Sequence, residues 1–232
     1  MNETIITSLF ELCNRPNADL AEVEAFIIHN NATSEEVTHA AIRLADENVL
    51  EIHQFDYPEE RKPSPDELVT TNWVALFEIF IKYGLLPNLI YTTDNINYYN
   101  IMQEIRHIDN GDVAPVIMRR LMECGGNPNL NIDGEQLFPA LDFDIVFDVV
   151  ELDNKRLFDI EFKIWLVMMG YGGYIKDHEC PAKMKNGYTP EIFKKFEDFD
   201  YKIEWIPKDW IMHIFYKNSG EEVATLYMRN RV

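Results

Sequence analysis

The chain has 232 residues, of which 40 are Asp or Glu and 21 are Lys or Arg, so its formal net charge is −19. Such a surface repels phosphate backbones and anionic lipid, which argues against nucleic acid and membrane surfaces as partners. The densest cationic stretches, 183–185 and 194–195, are too short to form a basic patch. We interpret the acidity first as a source of solubility and second as a possible attraction for a basic protein.

The cysteines and the apolar stretches bear on the compartment. Cys13, Cys124 and Cys180 are odd in number and lack close pairing, which is not typical of a disulfide framework. The first residues carry neither a basic region nor a long apolar run, unlike a signal peptide. The most apolar stretch, 164–169, is far too short to span a bilayer. The sequence therefore predicts a cytoplasmic protein.

Residues 1–54 are predicted to form paired helices. Apolar residues recur at helical spacing, and Asn17 or Asp19 is placed to cap the second helix. Thr33 and Glu36 have the spacing of a capping box, in which each side chain bonds the other residue's amide. Asn30 marks the break between two helices. The pattern resembles one helix–turn–helix unit of a repeat protein.

Residues 55–65 are charged and contain three prolines, which predicts a surface loop. Ser64 and Pro65 then form a helix-start signal, and the helix is expected to end at Gly84. Another helix is predicted from the shared face of four apolar residues, Tyr98, Ile101, Met102 and Ile105. Asp112 is predicted to cap the helix after that.

Residues 176–232 differ from the rest of the chain. One short helix is predicted near Thr189, followed by β-rich segments at 201–206, 210–216 and 221–228. The last two flank Asn218-Ser219-Gly220, which favours a hairpin whose loop is longer than two residues. We expect a β-hairpin or a short three-stranded sheet, within one continuous domain.

Two helix ends have nearly the same sequence. Residues 84–89 read GLLPNL and residues 125–130 read GGNPNL, and a weaker echo lies at 170–174. Glycine directly after a helix adopts the left-handed conformation that satisfies the last carbonyls, proline prevents continuation, and asparagine favours a turn. The pattern predicts equivalent junctions between repeated helical units.

From residue 125 onward the junction resembles that of the ankyrin-repeat family, with a helix ending at glycine, a polar-Pro-Asn turn and an Asp-Gly step. The similarity is good over 112–142 and fair over 72–106. The family's Thr-Pro-Leu-His opening is absent, and the spacing of the glycines exceeds the family's period of about 33 residues. The predicted fold is therefore mainly α: an irregular ankyrin-like helical-repeat solenoid over 66–175 with a small C-terminal β-hairpin or short antiparallel sheet.

The resemblance implies a scaffold that binds another protein through its turns and inner helix face. The candidate binding residues lie in the two predicted turns, at 88–94 and 129–135. They are Asn88, Tyr91, Asp94, Asn129, Asn131, Asp133 and Glu135.

Other chemistry is less well supported by the pattern. Asn129, Asn131 and Asp133 have the spacing of a calcium loop, but position twelve of such a loop is Ala140 instead of Glu. The six histidines have no zinc-site spacing, and no nucleophile motif is present. We predict no catalytic residue, no cofactor and no metal.

The leading functional hypothesis is a non-enzymatic protein–protein interaction module. One alternative is an intracellular immunity or antitoxin-like protein that binds a basic toxin, since acidic surfaces steer such encounters. The other is an enzyme whose unfamiliar site draws on the acidic cluster at 142–148 and the aromatic, glycine-rich region at 165–174.

Overall fold

The computed structural model describes most of the N-terminal half of the chain and parts of the remainder. Its residues fall into two compact units, Met1–Gly126 and Asn127–Val232. The described part is mainly helical, with a small antiparallel sheet in the second unit. The described ranges are 1–15, 17–47, 73–92, 98–105, 113–132, 135–136, 162–164, 166–168, 170–173, 197, 200–206 and 211–227.

Six described helices form most of the first unit, and one short hairpin lies between the fourth and the fifth. They are α1 Glu3–Cys13, α2 Leu20–His29, α3 Ser34–Glu47, α4 Trp73–Lys82, β1 Tyr91–Thr92, β2 Tyr98–Tyr99, α5 Ile101–Ile105 and α6 Ala114–Glu123.

These helices pack as pairs in two rows. Helix α1 contacts α3, and α3 contacts α5, which makes one row. The other row consists of α2, α4 and α6, in which each helix contacts the next. Contacts between α1 and α2, α3 and α4, and α5 and α6 join the rows. Each helix therefore buries one face against its pair partner and its flanks against its neighbours in the row.

The predicted caps of the first helices are confirmed. The Asp19 carboxylate accepts hydrogen bonds from the amides of Ala21 and Glu22, at 2.9 and 3.4 Å. The Glu36 carboxylate accepts from the Thr33 amide at 2.9 Å, and Thr33 Oγ1 accepts from the Glu36 amide at 3.3 Å. This is the reciprocal capping box expected from the sequence. Glu36 also accepts from the Asn2 amide, which ties the start of α1 to the start of α3.

The core of the first unit lies between the two rows. Phe77 and Phe80 of α4 meet edge to face, with ring centroids 5.6 Å apart. Trp73 packs beside Phe77 one turn earlier. The fully buried side chains come from both rows and include Leu9, Leu44, Leu76, Phe77, Phe80, Ile101 and Met102.

Two details of the predicted helices are wrong. Tyr98 does not belong to the helix that contains Ile101, because it lies in β2 and pairs with Thr92. The cap position of α6 is Val113 rather than Asp112, and Val113 makes no side-chain cap bond. Asp112 itself lies outside the described residues, as do Ser64, Pro65 and the whole proline-rich segment 55–65.

The second unit contains a short hairpin and a three-stranded sheet. The hairpin pairs β3 Asn131–Ile132 with β4 Glu135–Gln136. The sheet is antiparallel in the order β5 Tyr201–Ile206, β6 Ile211–Tyr216, β7 Glu222–Tyr227. The predicted C-terminal sheet is thus confirmed, and the β6–β7 loop is longer than two residues, with Gly220 at a φ of 68°.

The sheet packs on a short helical stretch of the same unit. Phe162 and Tyr201 are buried and meet edge to face, with centroids 4.7 Å apart. Tyr201 stacks in turn on Tyr216 of β6, and Ile214 is fully buried. Across the ranges that the structure describes, no helix has the length and apolarity needed to cross a bilayer.

Candidate binding surface

The helix ends at Gly84 and Gly125 have the same geometry. Their φ angles are 86° and 91°, in the left-handed region that glycine adopts without strain. After each helix, the residue that follows the glycine donates to a carbonyl five residues earlier: Leu85 to Phe80, and Gly126 to Leu121, both at 2.9 Å. This is the Schellman motif, and it confirms the predicted role of both glycines as helix terminators.

The same bond recurs at two further helix ends. Gly173 donates to Met168 at 2.9 Å, and Gly172 has a φ of 87°. After α2, Ala32 donates to Ile27 at 3.0 Å, and Asn31 takes the left-handed position with a φ of 48°. The sequence predicted the helix break at Asn30 but not its equivalence to the glycine junctions, because asparagine takes the place of glycine there, a substitution that the left-handed region tolerates.

A tight turn follows each of the two matching helix ends. The Leu89 amide donates to the Leu86 carbonyl, and the Leu130 amide donates to the Asn127 carbonyl, both at 3.1 Å. A donor and an acceptor three residues apart define a β-turn. The two turns therefore agree in sequence position and in hydrogen bonding.

The asparagine inside each turn donates a hydrogen bond to the glycine that ends a later helix. Asn88 Nδ2 donates to the carbonyl of Gly125 at 2.8 Å. Asn129 Nδ2 donates to the carbonyl of Gly172 at 2.9 Å. Each bond joins one junction to the following one. Two of the predicted binding residues thus also support the turns structurally.

Of the other predicted binding residues, three lie in short strands and two lie outside the described residues. Tyr91 lies in β1, where its backbone pairs with Tyr99. Asn131 in β3 pairs with Gln136, and Glu135 in β4 pairs with Ile132. Asp94 and Asp133, predicted in the same two turns, lie outside the described residues. Among these residues, Tyr91 makes a side-chain contact with another element of the first unit, α3, and it therefore locates the candidate surface.

Tyr91 packs against a histidine of α3. The ring centroids of His39 and Tyr91 are 4.4 Å apart and the planes are tilted by 57°. Burial lowers the pKa of His39, while the negative charges of Glu35 and Glu3 act in the opposite direction. The amino group of Met1 also lowers this pKa. His39 is therefore a neutral ring near pH 7, surrounded by charges from α1, α3 and the chain start.

The opposite row of helices carries paired charges. Lys82 bonds Glu24, which also accepts from the Tyr83 hydroxyl at 2.7 Å, so α4 is linked to α2. Arg120 of α6 bonds Glu78 of α4 through two nitrogens, at 2.5 and 3.0 Å. The Arg120 hydrogen bonds hold the pKa of Glu78 below its ordinary value. Exposed pairs of this kind add little stability, but they neutralise the acidic side chains of this row.

A buried asparagine that the sequence reading did not identify joins the first turn to α5. Asn100 is fully buried, and its Nδ2 donates to the carbonyls of Pro87 and Leu89 at 2.9 and 2.8 Å. Its Oδ1 accepts from the Met102 amide at 2.9 Å, which caps α5. An asparagine directly before an apolar helical run is the available sequence signal, since it is a preferred N-cap.

Helix α5 also contributes a buried carboxyl group. Glu104 is 7% exposed. Burial, reinforced by the negative charge of Asp46 on α3, raises the pKa of Glu104 to about 7. A carboxyl in this environment carries a proton well above the usual pH range for glutamate.

The described residues contain no group of three or more side chains with metal-ligating atoms. Cys13 is buried, and burial raises its pKa to about 12, whereas Cys124 is exposed at the end of α6. The acidic cluster at 142–148, on which an enzymatic alternative depends, lies outside the described ranges. Gly172 in the glycine-rich region ends a helix, as its φ of 87° and the Gly173 bond indicate.

No family model matches the chain, and neither a curated protein nor a solved structure does.

Proposed function

We propose that the chain is a non-enzymatic protein–protein interaction module, built as an irregular ankyrin-like helical-repeat solenoid. The observation that carries this proposal is the repeated junction. A left-handed glycine, a β-turn and an asparagine bonded to the carbonyl of a later left-handed glycine recur at Asn88–Gly125 and Asn129–Gly172. In solenoid proteins one structural unit is repeated along the chain, and each unit contacts its neighbours.

The packing of the helices supports the same proposal. Pairs α1–α2, α3–α4 and α5–α6 contact their neighbours along two rows. A helix pair of this size cannot bury its apolar face alone and is stabilised by the next pair in the stack. The longer repeat spacing and the differing loop lengths distinguish this arrangement from a regular ankyrin array.

A stack of helix pairs presents an extended surface on which a partner chain can lie. Strand β1 borders α3 through the Tyr91–His39 contact, so the hairpin and the α1–α3 row share one side of the first unit. Thr92, the next residue of β1, is exposed. This side is the proposed binding surface, because in the other row Glu24 and Glu78 are already paired with Lys82 and Arg120.

Site-specific photo-crosslinking in the cells from which the chain comes tests the proposal. A photoreactive amino acid replaces Thr92 in one full-length variant and Val116, which is 45% exposed on α6, in the other. We expect a discrete set of proteins to be crosslinked at Thr92 and not at Val116. Identical products at the two positions, or no product at Thr92, would contradict the proposed surface.

A further inference from the structure

We propose that strand β5 is the docking edge for a second copy of the chain, and that the two β5 strands pair antiparallel across a two-fold axis at Ile203. The two three-stranded sheets then form one continuous sheet. The proposal concerns the second unit alone and does not depend on the proposed function. It rests on the regular, unpaired edge of β5 and on the charges along that edge.

Strand β5 forms one edge of the sheet, because β6 lies between it and β7. Its inner side pairs with β6 at every position from Tyr201 to Ile206, without a register shift. Across the part of the chain that the structure describes, no strand pairs with its outer side. An edge strand of this kind presents a row of backbone N–H and C=O groups, which is a template for another strand.

The opposite edge, β7, is less regular. The β6–β7 ladder shifts register between Ile214 and Phe215, and Val223 of β7 has no residue opposite it. A bulge of this kind bends the strand and disrupts the spacing of its donors and acceptors, which is one way in which proteins protect an edge. Strand β5 contains neither a bulge nor a proline. It is therefore the edge that is suited to accept a second strand.

The outer face of β5 carries one positive and one negative side chain. Lys202 and Glu204 are exposed, and Lys202 Nζ lies 2.6 Å from a Glu204 carboxylate oxygen. Because the two residues are two positions apart, they lie on the same face of the sheet. A lysine on an edge disfavours pairing with another strand unless that strand places a negative charge opposite it. The charges on β5 therefore discriminate between registers.

Two-fold symmetry limits the registers to those in which one residue lies opposite its own copy at the axis. An axis at Lys202 places two lysines opposite each other, and an axis at Glu204 does the same with two glutamates. An axis at Ile203 places Lys202 opposite Glu204 of the partner subunit, twice. Axes nearer either end of β5 pair fewer residues. Since opposite charges in directly opposed positions attract and like charges repel, the sequence of β5 selects the axis at Ile203.

In this register each lysine keeps its own glutamate and gains that of the second copy. Exposed ion pairs contribute little affinity, so they specify the register, whereas the backbone hydrogen bonds between the strands supply most of the attraction. Ile203 is half-buried in one copy and meets its symmetry mate at the axis, so association buries more of its apolar surface. Repulsion between the two acidic chains is screened beyond about 8 Å at physiological salt.

The test measures self-association of the full chain by analytical ultracentrifugation at physiological salt. Concentrations run from about 1 μM to about 1 mM, which covers the dissociation constants of weak complexes. The variants are Lys202→Glu, Glu204→Lys and the charge swap that combines them. Lys163→Glu, at another exposed position of the second unit, is the matched control for Lys202→Glu. Circular dichroism verifies that each variant is folded.

We expect the wild type to form dimers in this range. Lys202→Glu and Glu204→Lys should each weaken dimerisation at least about tenfold, because by symmetry either change replaces two attractive pairs with two repulsive ones. The charge swap should restore dimerisation. Mixing the two single variants should give a heterodimer, since their β5 strands are then complementary. Lys163→Glu should change dimerisation by less than about twofold.

A wild type that stays monomeric over the whole range would overturn the proposal. Stronger dimerisation of Glu204→Lys would overturn it too, because that is the result expected if net charge alone governed association. Single variants that dimerise like the wild type, or a charge swap that does not recover, would show that β5 does not pair in the register centred on Ile203. The proposed function is tested separately, by crosslinking at Thr92, and none of these results bears on it.

Discussion

The turn after α4 and the turn after α6 have the same backbone bonds but different supports. In the first turn, the Leu86 amide donates to Thr38 Oγ1 of α3 at 2.8 Å, so the support comes from a neighbouring helix. In the second, Asn127 Oδ1 accepts from the Asn129 amide at 2.9 Å, a bond within the turn itself. The repeated sequence therefore determines the backbone conformation of both turns, whereas the side chain that hydrogen-bonds the turn backbone differs between them.

The glycines differ in the same way. A methyl group at Gly84 would lie 2.5 Å from Ser34 Oγ, whereas one at Gly125 would meet no atom of the described residues within 4 Å. The first left-handed glycine is thus packed against α3, and the second has no such contact with the described residues. Substitutions in the first junction should accordingly cost more than their equivalents in the second.

Asn100→Ala should have the largest effect. The change leaves the carbonyls of Pro87 and Leu89 and the amide of Met102 without their buried partner. Since each buried unsatisfied group costs about 1–3 kcal/mol, we expect a loss of roughly 3–5 kcal/mol in the free energy of unfolding. Urea denaturation followed by helical circular dichroism measures it. Asn127→Ala, which removes a local bond in the exposed second turn, is the comparison and should cost under about 1 kcal/mol. Similar losses would refute the contrast.

The second prediction concerns pH and α5, the helix that follows the first junction. Glu104 has a folded-state pKa of about 7 against 4.5 for an ordinary glutamate. The folded state holds the proton more tightly than the unfolded state, so this residue lowers stability as pH rises from about 4.5 to 7. The full difference is on the order of 3 kcal/mol. Glu104→Gln should therefore unfold at higher urea than the wild type at pH 8 and at similar urea at pH 4.5. Parallel pH profiles for the two proteins would show that Glu104 is not responsible.

The glycine substitutions follow in size. Gly125→Ala should cost about 1–2 kcal/mol, because an L-residue is strained in the left-handed region. Gly84→Ala should cost about 1 kcal/mol more, since its methyl group also meets Ser34. Adding Ser34→Gly to Gly84→Ala removes that contact and should bring the loss closer to that of Gly125→Ala. Thermal or urea unfolding of the three variants measures this. No recovery in the double variant would mean that the backbone strain alone accounts for the loss.

The sequence was informative where local chemistry decides the backbone. Asp19, the Thr33–Glu36 capping box and the glycines at 84 and 125 could all be predicted, because caps and left-handed turns depend on residues within a few positions of each other. The C-terminal strands were predicted from β-forming residues around Asn218-Ser219-Gly220. The short hairpin β1–β2 was missed, since two-residue strands carry too little alternation to be recognised.

The surface could be predicted only in part. Tyr91 was identified from the turn position, but His39 was not, because the two rings meet only through the tertiary contact between β1 and α3. Asn100 escaped notice for the same reason: its bonds to Pro87 and Leu89 connect residues that are more than ten positions apart. Contacts across elements depend on the tertiary arrangement, which periodicity does not specify.

The smallest predicted effect tests the element that the two junctions share. Asn88 and Asn129 each donate one partly solvent-exposed bond to a glycine carbonyl, at 2.8 and 2.9 Å. A single bond of this kind contributes about 0.5–1.5 kcal/mol, so Asn88→Ala and Asn129→Ala should each lower the free energy of unfolding by about 1 kcal/mol. Equal losses mean that the bond is a common part of both junctions even though their other supports differ. If Asn88→Ala weakens partner crosslinking at Thr92 without changing stability, the side chain acts in binding and the bracing role is wrong.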